Sequence, residues 1–187
     1  MYKVCKTEQS SARQHELEQG LLRQMGRKRF DEISISDLCQ HLGITRKIFY
    51  RYFSGKEGAL YSLLDHTIME FYDSGVLEGL RGGTPRGDLE HFFKFWYERK
   101  ELLDALDRSE LNGVLVERCT MLASREKLTP GLTRGWEPFK QEVAIAFVIC
   151  GLLSIVFHWH KKGFLHTPTE MAEVAVAMLS KPLLPKF

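Results

Sequence analysis

Apolar residues recur along the chain at intervals of three and four, the spacing of helices that bury one face. The sustained alternation typical of half-buried strands does not occur in the 187 residues. The pattern therefore predicts an all-α fold. The expected helices cover residues 11–25, 35–42, 46–53, 56–73, 88–107, 111–126, 137–162 and 169–180.

Glycine and proline interrupt this helical pattern. Residues 79–87 hold four glycines and one proline, and are the best candidate for a break inside the chain. Residues 1–9 lack the pattern and are expected to form a frayed tail. Further interruptions are expected near Lys100, at 129–131, at Pro182 and at Pro185.

Residues 34–53 have the pattern of a helix-turn-helix, in which two short helices meet at a steep angle across a tight turn. Ser34 and Thr45 are the predicted N-caps of the two helices. Cys39 is a small residue where the helices approach each other, and Gly43 suits a left-handed turn. Apolar residues flank the turn: Leu38, Leu42, Ile44 and Phe49.

The second of these helices presents a basic face. Arg46 and Tyr50 are four residues apart and share one row, and Lys47 and Arg51 share the next. The major groove of DNA admits a helix with such a face. A solvated surface gives the same charges, but the turn pattern beside it favours DNA recognition. The remaining side chains are assigned to the interior or its edge: Ile48, Phe49, Tyr52 and Phe53.

Charge and cysteine content indicate the type of partner and the cellular location. Residues 1–60 carry 11 Lys and Arg against 7 Asp and Glu, whereas the rest carries 15 against 17. This imbalance indicates an anionic partner for the first third only. The four cysteines are far apart, so no CxxC zinc or redox motif is present, and free thiols indicate a cytoplasmic protein. No secretory signal is visible.

With these features the chain resembles the TetR/AcrR family of bacterial one-component regulators. The resemblance covers about residues 11–64. It implies a three-helix DNA-binding head over residues 1–57, followed by a helical C-terminal dimerisation and ligand-binding body over residues 58–187. The residues that carry it are 30–35 (FDEISI), Leu38, 42–45 (LGIT), 49–53 (FYRYF), Lys56 and Glu57.

The same resemblance implies individual roles in binding a double-stranded DNA operator. Thr45, Arg46 and Lys47 match the start of the recognition helix, where base edges are read. Ser34 matches a cap whose helix N-terminus faces a phosphate. Three further positions match residues that commonly contact phosphates: Tyr50, Tyr52 and Lys56.

The segment 137–162 is apolar nearly all round between Val143 and Phe157, a run of about 15 residues that is shorter than a bilayer requires. We interpret it as a buried helix and expect no membrane partner. Together with the last helix it can form a four-helix interface between two copies. The alternative is the central helix of a monomer. Residues 159–172 also resemble, more weakly, the turn that joins the dimer helices in one branch of the family.

Aromatic residues are densest at 91–97. Phe92, Phe95 and Trp96 share one face and, with Cys119, are the candidate site for a small apolar or aromatic effector. Ordinary core packing is the alternative.

Candidate chemistry elsewhere is weak. His158 and His160 are two residues apart and diverge on a helix, so we predict no metal site. No catalytic motif is recognisable, and we expect neither a cofactor nor an enzyme. The sequence thus predicts a homodimeric, sequence-specific DNA-binding transcriptional regulator, a repressor released by a small effector. The alternative is a DNA-binding regulator or architectural protein without a ligand, controlled by a partner protein or by abundance.

Overall fold

The computed structural model describes residues 1–5, 7–76, 85–125 and 135–180. The described chain is helical, which confirms the predicted all-α class. A 3-10 turn covers Phe30–Glu32 and a π-helical turn covers Tyr72–Val76. The α-helices are α1 (Glu8–Met25), α2 (Ile35–His41), α3 (Arg46–Tyr52), α4 (Lys56–Phe71), α5 (Pro85–Tyr97), α6 (Lys100–Arg108), α7 (Asn112–Arg125), α8 (Pro138–Lys161) and α9 (Pro168–Ser180).

The helix boundaries agree with the predicted ones to within a few residues. The expected break near Lys100 is confirmed, because α5 ends at Tyr97 and α6 begins at Lys100. The break at 79–87 lies mostly outside the described residues, and α5 already begins at Pro85. The interruptions predicted at 129–131, Pro182 and Pro185 lie outside the described residues.

The chain divides into two compact units. The first contains residues 1–68 and 101–118, and the second contains residues 69–100 and 119–187. The first unit is thus larger than the predicted head, and the boundary between residues 57 and 58 stays a prediction.

The core of the first unit joins α1 to the helix-turn-helix. Leu17, Leu21 and Met25 lie on one face of α1 and are almost completely buried. Phe49 of α3 and Leu64 of α4 are equally buried. Each such side chain contributes about 1.5–3 kcal/mol through the hydrophobic effect. The framework that holds α3 is therefore built mainly from apolar contacts.

The N-terminal residues do not form the frayed tail that the sequence predicted. Tyr2 makes an antiparallel bridge with Phe53, and the Lys3 amide donates to the Tyr52 carbonyl at 2.9 Å. The Tyr2 hydroxyl donates to Asp65 Oδ2 at 2.5 Å. Gly58 allows the chain to pass, because a Cβ there would collide with the Met1 carbonyl. The prediction was wrong because these partners lie about 50 residues or more away in sequence.

In the second unit, α5 packs against α9. Phe93 of α5 is fully buried and its ring lies 5.8 Å from that of Trp159 in α8, in an edge-to-face arrangement. Ala172 and Ala175 of α9 are also buried. The buried positions of α8 occupy one side of the helix: Ile145, Leu153, Val156 and Trp159. The prediction of a buried helix therefore holds for one face of α8 only.

Candidate nucleic-acid interface

The first helix of the helix-turn-helix begins at a well-formed cap. Ser34 Oγ accepts from the Asp37 amide at 3.0 Å, and Asp37 Oδ2 accepts from the Ser34 amide at 3.4 Å. Lys28 Nζ lies 3.2 Å from the same carboxylate oxygen. The Ser34 and Lys28 interactions hold the pKa of Asp37 below its usual value. The predicted N-cap is confirmed, and its phosphate contact stays a prediction.

The turn between α2 and α3 depends on a glycine. Gly43 has a φ of +63°, in the left-handed region that is costly for residues with a Cβ. The Ile44 amide donates to the Cys39 carbonyl at 3.0 Å across the turn. Cys39 is buried between the helices, and burial raises the pKa of its thiol. Both residues therefore have the structural roles that the sequence predicted.

Helix α3 has one buried face and one exposed face. Thr45 Oγ1 accepts from the Ile48 amide at 3.3 Å, which confirms Thr45 as the N-cap. Phe49 is fully buried on the inner face, and Tyr50 on the outer face is 50% exposed. The cations of this helix also lie on its exposed side: Arg46, Lys47 and Arg51.

Arg46 does not extend freely into solvent. Its Nη2 donates to the hydroxyl of Ser36, in the first turn of α2. This contact gives the guanidinium a defined position between the two helices. The sequence analysis did not identify Ser36, because nothing in the pattern of α2 distinguishes it from other exposed serines.

Ile48 is 38% exposed although the sequence assigned it to the interior or its edge. It lies on the same short helix as Arg46 and Tyr50. An exposed isoleucine at this place could contact a thymine methyl group, which apolar side chains recognise in the major groove. The only feature of the sequence that could have indicated this exposure was the position of Ile48, three residues after the cap Thr45.

Two of the residues predicted to contact phosphates, Tyr52 and Lys56, are less accessible than Tyr50. Tyr52 is only 7% exposed. Lys56 Nζ donates to the carbonyls of Phe30, Asp31 and Ile33 at 2.9, 3.0 and 3.0 Å. These bonds use all three donors of the ammonium group. The phosphate roles of Tyr52 and Lys56 stay predictions.

The second unit brings the candidate effector residues together. The ring of Phe71 lies 5.7 Å from that of Phe92 and 5.1 Å from that of Phe95. The ring of Trp96 lies 5.4 Å from that of Phe95. We call Phe71, Tyr72, Phe92, Phe95, Trp96 and Cys119 the aromatic cluster.

Tyr72 and Cys119 complete this cluster. The Tyr72 ring lies 5.4 Å from that of Phe71. Burial raises the pKa of Tyr72 well above its usual value, and the nearby Cys119 adds to the effect. Phe71 and Tyr72 were not predicted as site residues, because they precede 91–97 by about twenty residues and local pattern does not connect the two segments.

An apolar stripe runs along the outer side of α8. Phe139, Val143 and Phe147 are spaced four apart and are strongly exposed. The exposed apolar side chains of α9 are Val174, Met178 and Leu179. We call these six residues the apolar stripe. By length and composition alone, α8 could also cross a membrane.

The histidines near the end of α8 lie close to an aromatic ring and to a carboxylate. The ring of His160 lies 5.5 Å from that of Phe164, and His166 Nδ1 lies 3.9 Å from Glu170 Oε2. In the described part of the chain, no three His, Cys, Asp or Glu side chains are grouped to hold a metal ion.

A capped, basic recognition helix on a helix-turn-helix defines a class of DNA-binding regulators. Residues 20–60 match the family model of the bacterial regulatory proteins of the tetR family. The transcriptional regulator EthR of Mycolicibacterium smegmatis is 50% identical over 48 residues. That match covers 26% of this chain and only 22% of the relative. Over this N-terminal segment the chain is similar to bacterial transcriptional regulators of the TetR family.

Solved structures share the fold over nearly the whole chain. The fatty acid degradation regulator FadR from Bacillus halodurans gives a TM-score of 0.66 at 16% identity, covering 98% of this chain and 100% of that one. The TetR family repressor AlkX from Dietzia sp., implicated in biodegradation of n-alkanes, gives 0.54 at 17% identity, covering 91% and 97%. At this level of identity the likeness extends to the fold alone.

Proposed function

We propose that the chain is a homodimeric, sequence-specific DNA-binding regulator that inserts α3 into the major groove of its operator. The observation that carries this proposal is the exposure of Arg46, Lys47 and Tyr50 on a capped helix whose opposite face is sealed by Phe49. Such an arrangement presents charge and hydrogen-bond donors outward on a rigid element.

The contacts divide into two kinds. Thr45, Arg46 and Lys47 read base edges, and Arg46 is suited to pair bidentately with a guanine. Ser34 and Tyr50, with Tyr52 and Lys56, contact phosphates and fix the register on the duplex. Among the proposed phosphate contacts, the exposed side chain of Tyr50 is the best supported. Lys56 would have to release a backbone carbonyl, or act on the phosphate through its charge alone.

The test begins with selection of an operator from a random duplex library by the purified protein. We expect Arg46→Ala to lose about 1–3 kcal/mol of discrimination between operator and unrelated DNA, while non-specific binding survives. Lys94→Ala is the control, because Lys94 is an exposed cation on α5, outside the first unit. Unchanged operator selectivity in Arg46→Ala would refute its role in base reading.

The apolar stripe supports a homodimer built from α8 and α9. A two-fold axis places the same surface on both copies, and each copy then covers the stripe of the other. Two heads on one assembly can read two half-sites. The alternative of a membrane span is less well supported, because α8 already buries Ile145, Leu153 and Val156 within its own unit. A cytoplasmic location follows from this function.

The aromatic cluster supports the effector part of the function, in which a small apolar or aromatic molecule releases the repressor from DNA. Binding would favour a conformation that fits the operator poorly. FadR and AlkX are named for fatty acid and n-alkane degradation, and these compounds are also apolar. The near-complete burial of Phe95 and Trp96 is the observation behind a second candidate, a regulator without a ligand whose cluster is core. Weakened operator binding in the presence of a ligand decides between them.

A further inference from the structure

One buried polar atom of the aromatic cluster has no hydrogen-bond partner in the described part of the chain. Trp96 is 2% exposed, and its indole Nε1 has no hydrogen-bond partner among the described residues. Trp159 of the same unit is also 2% exposed, but its Nε1 donates to the His166 carbonyl at 3.1 Å. Among the described residues of the second unit, one buried indole therefore has a hydrogen-bond partner and the other has none.

An unpaired buried donor is costly, by about 1–3 kcal/mol. A buried water could accept from it only if two to four polar groups held that water. The ring neighbours of Trp96 are instead Phe92 at 6.4 Å and Phe95 at 5.4 Å. These aromatic neighbours, together with a buried donor that has no partner among the described residues, suit an apolar molecule that brings its own acceptor oxygen.

The charges around the cluster limit which oxygen this can be. The guanidinium of Arg99 lies 3.4 Å from the centre of the Phe95 ring. Its Nη2 already donates to Glu70 Oε2 at 2.9 Å, and its Nη1 donates to the Phe95 carbonyl at 3.2 Å. This cation is therefore neutralised within its own unit. Burying a ligand carboxylate beside this already paired cation would be costly, whereas a neutral carbonyl carries no such charge cost.

We propose that the aromatic cluster binds a neutral carbonyl compound with an apolar or aromatic body, whose carbonyl oxygen accepts a hydrogen bond from Trp96 Nε1. The body of the ligand packs against Phe71, Phe92 and Phe95. This inference rests on the effector part of the proposed function and specifies the chemical class of that effector. DNA recognition by α3 does not depend on it.

The test is a nuclear magnetic resonance titration of the full chain with ¹⁵N-labelled tryptophan. The three indole N–H signals, from Trp96, Trp136 and Trp159, are assigned with single Trp→Phe variants. Two matched sets of probes are used, each with a ketone, a carboxylate and a hydrocarbon of the same carbon number. They are butyrophenone, 4-phenylbutanoate and butylbenzene, and 2-decanone, decanoate and decane.

At least one ketone is expected to move the Trp96 indole proton downfield with saturation, while the signal of Trp159 stays in place. The matching hydrocarbon controls for ring-current changes and should produce no downfield shift. Trp96→Phe should weaken ketone binding by about two- to tenfold, the range expected for one hydrogen bond. Trp159→Phe is the control and should leave ketone affinity unchanged.

Each other outcome overturns a defined part of the proposal. If neither ketone shifts the Trp96 signal, the proposed site is refuted. This titration is made on the wild-type chain, so its result does not depend on whether Trp96→Phe folds. If the carboxylates shift it as strongly as the ketones, the assignment of a neutral ligand is wrong. Operator affinity is measured separately with the same probes. A ketone that shifts Trp96 without weakening operator binding leaves the site intact and refutes effector release.

Discussion

Lys56 shows how one side chain can fix the geometry of a DNA-binding head before DNA arrives. Its ammonium group lies 4.8 Å from the centre of the Phe30 ring and ties together three carbonyls between residues 30 and 33. This segment leads directly into the cap of α2 at Ser34. Since the segment is held at several points, the N-terminus of α2 has a defined place relative to α4. The family resemblance implied only a phosphate contact for this lysine, because the backbone acceptors that it binds are brought near it only by the fold.

The backbone at Gly43 gives a prediction at the same scale. Gly43→Ala should destabilise the protein by about 1–2 kcal/mol, because a Cβ is unfavourable at a φ of +63°. No atom lies within 4 Å of the added Cβ, so the loss reports backbone strain alone. The measurement is the midpoint of urea unfolding.

Gly113→Ala is the matched control for this substitution. An added Cβ at Gly113 also meets no atom within 4 Å, but the residue lies in the first turn of α7 without a positive φ. Stability should be unchanged or slightly higher there, since alanine favours helices. Equal effects of the two substitutions would contradict the argument from the turn.

At the scale of elements, hydrophobic spacing and caps were sufficient to predict every described helix. Ser34 and Thr45 were predicted as caps because their hydrogen-bond partners lie three residues away in sequence. The bridge between Tyr2 and Phe53 could not be predicted, because it depends on pairing across the fold. The same holds for the contact of Phe71 with α5. Local sequence patterns were thus sufficient to predict the recognition helix. The structure of the N-terminal segment and the extent of the aromatic cluster depend on tertiary contacts, which such patterns do not contain.

A buried ion pair joins α4 to α7. The Asp65 side chain is 4% exposed and accepts from Arg118 and from Tyr2. Arg118→Met should destabilise the protein by about 3 kcal/mol, because it leaves a buried carboxylate without its charged partner. Tyr2→Phe should cost less, about 1 kcal/mol, since the ion pair survives.

The control for this prediction is Arg13→Ala. Arg13 forms an ion pair with Glu16 on the surface of α1, where both side chains are well exposed. Such pairs contribute little, so the change in unfolding free energy should stay below about 1 kcal/mol. A loss in Arg118→Met no larger than in Arg13→Ala would show that the pair does not hold α7 to α4.

The start of α9 gives a pH-dependent prediction. Glu170 Oε2 accepts from the Thr167 amide at 2.7 Å and from its hydroxyl at 2.9 Å, and these bonds lower the pKa of Glu170 below its ordinary value of 4.5. A folded-state pKa below the unfolded one stabilises the protein above that ordinary value, and the benefit is lost as pH falls through the folded pKa.

Thermal midpoints measured between pH 7 and pH 3 test this effect. The wild type should be more stable than Glu170→Gln at neutral pH, and the difference should shrink as the carboxylate is protonated. Glu142→Gln is the control, because Glu142 is an exposed residue inside α8 and should not reproduce this pattern. A difference that stays constant with pH would show that the charge of Glu170 does not stabilise the cap.

At the scale of the whole molecule, the apolar stripe supports the proposed homodimer. Phe147 is 70% exposed and is the last of the three stripe residues on α8. Soluble chains rarely leave large contiguous apolar surface uncovered, and such surface marks an interface. Association through the stripe would also give one assembly two recognition helices, which a regulator of paired half-sites requires.

Phe147→Glu should therefore separate the copies. A carboxylate in a desolvated apolar contact should cost about 2–4 kcal/mol of dimer stability, and the mass in sedimentation should fall to that of one 21.6 kDa chain. Operator affinity should fall with it, while helix content stays unchanged. Leu165→Glu is the control, because Leu165 is 77% exposed and lies outside the stripe. A wild-type chain that sediments as a monomer at micromolar concentration would overturn the dimer, and binding of α8 to lipid vesicles would identify a different partner for the stripe.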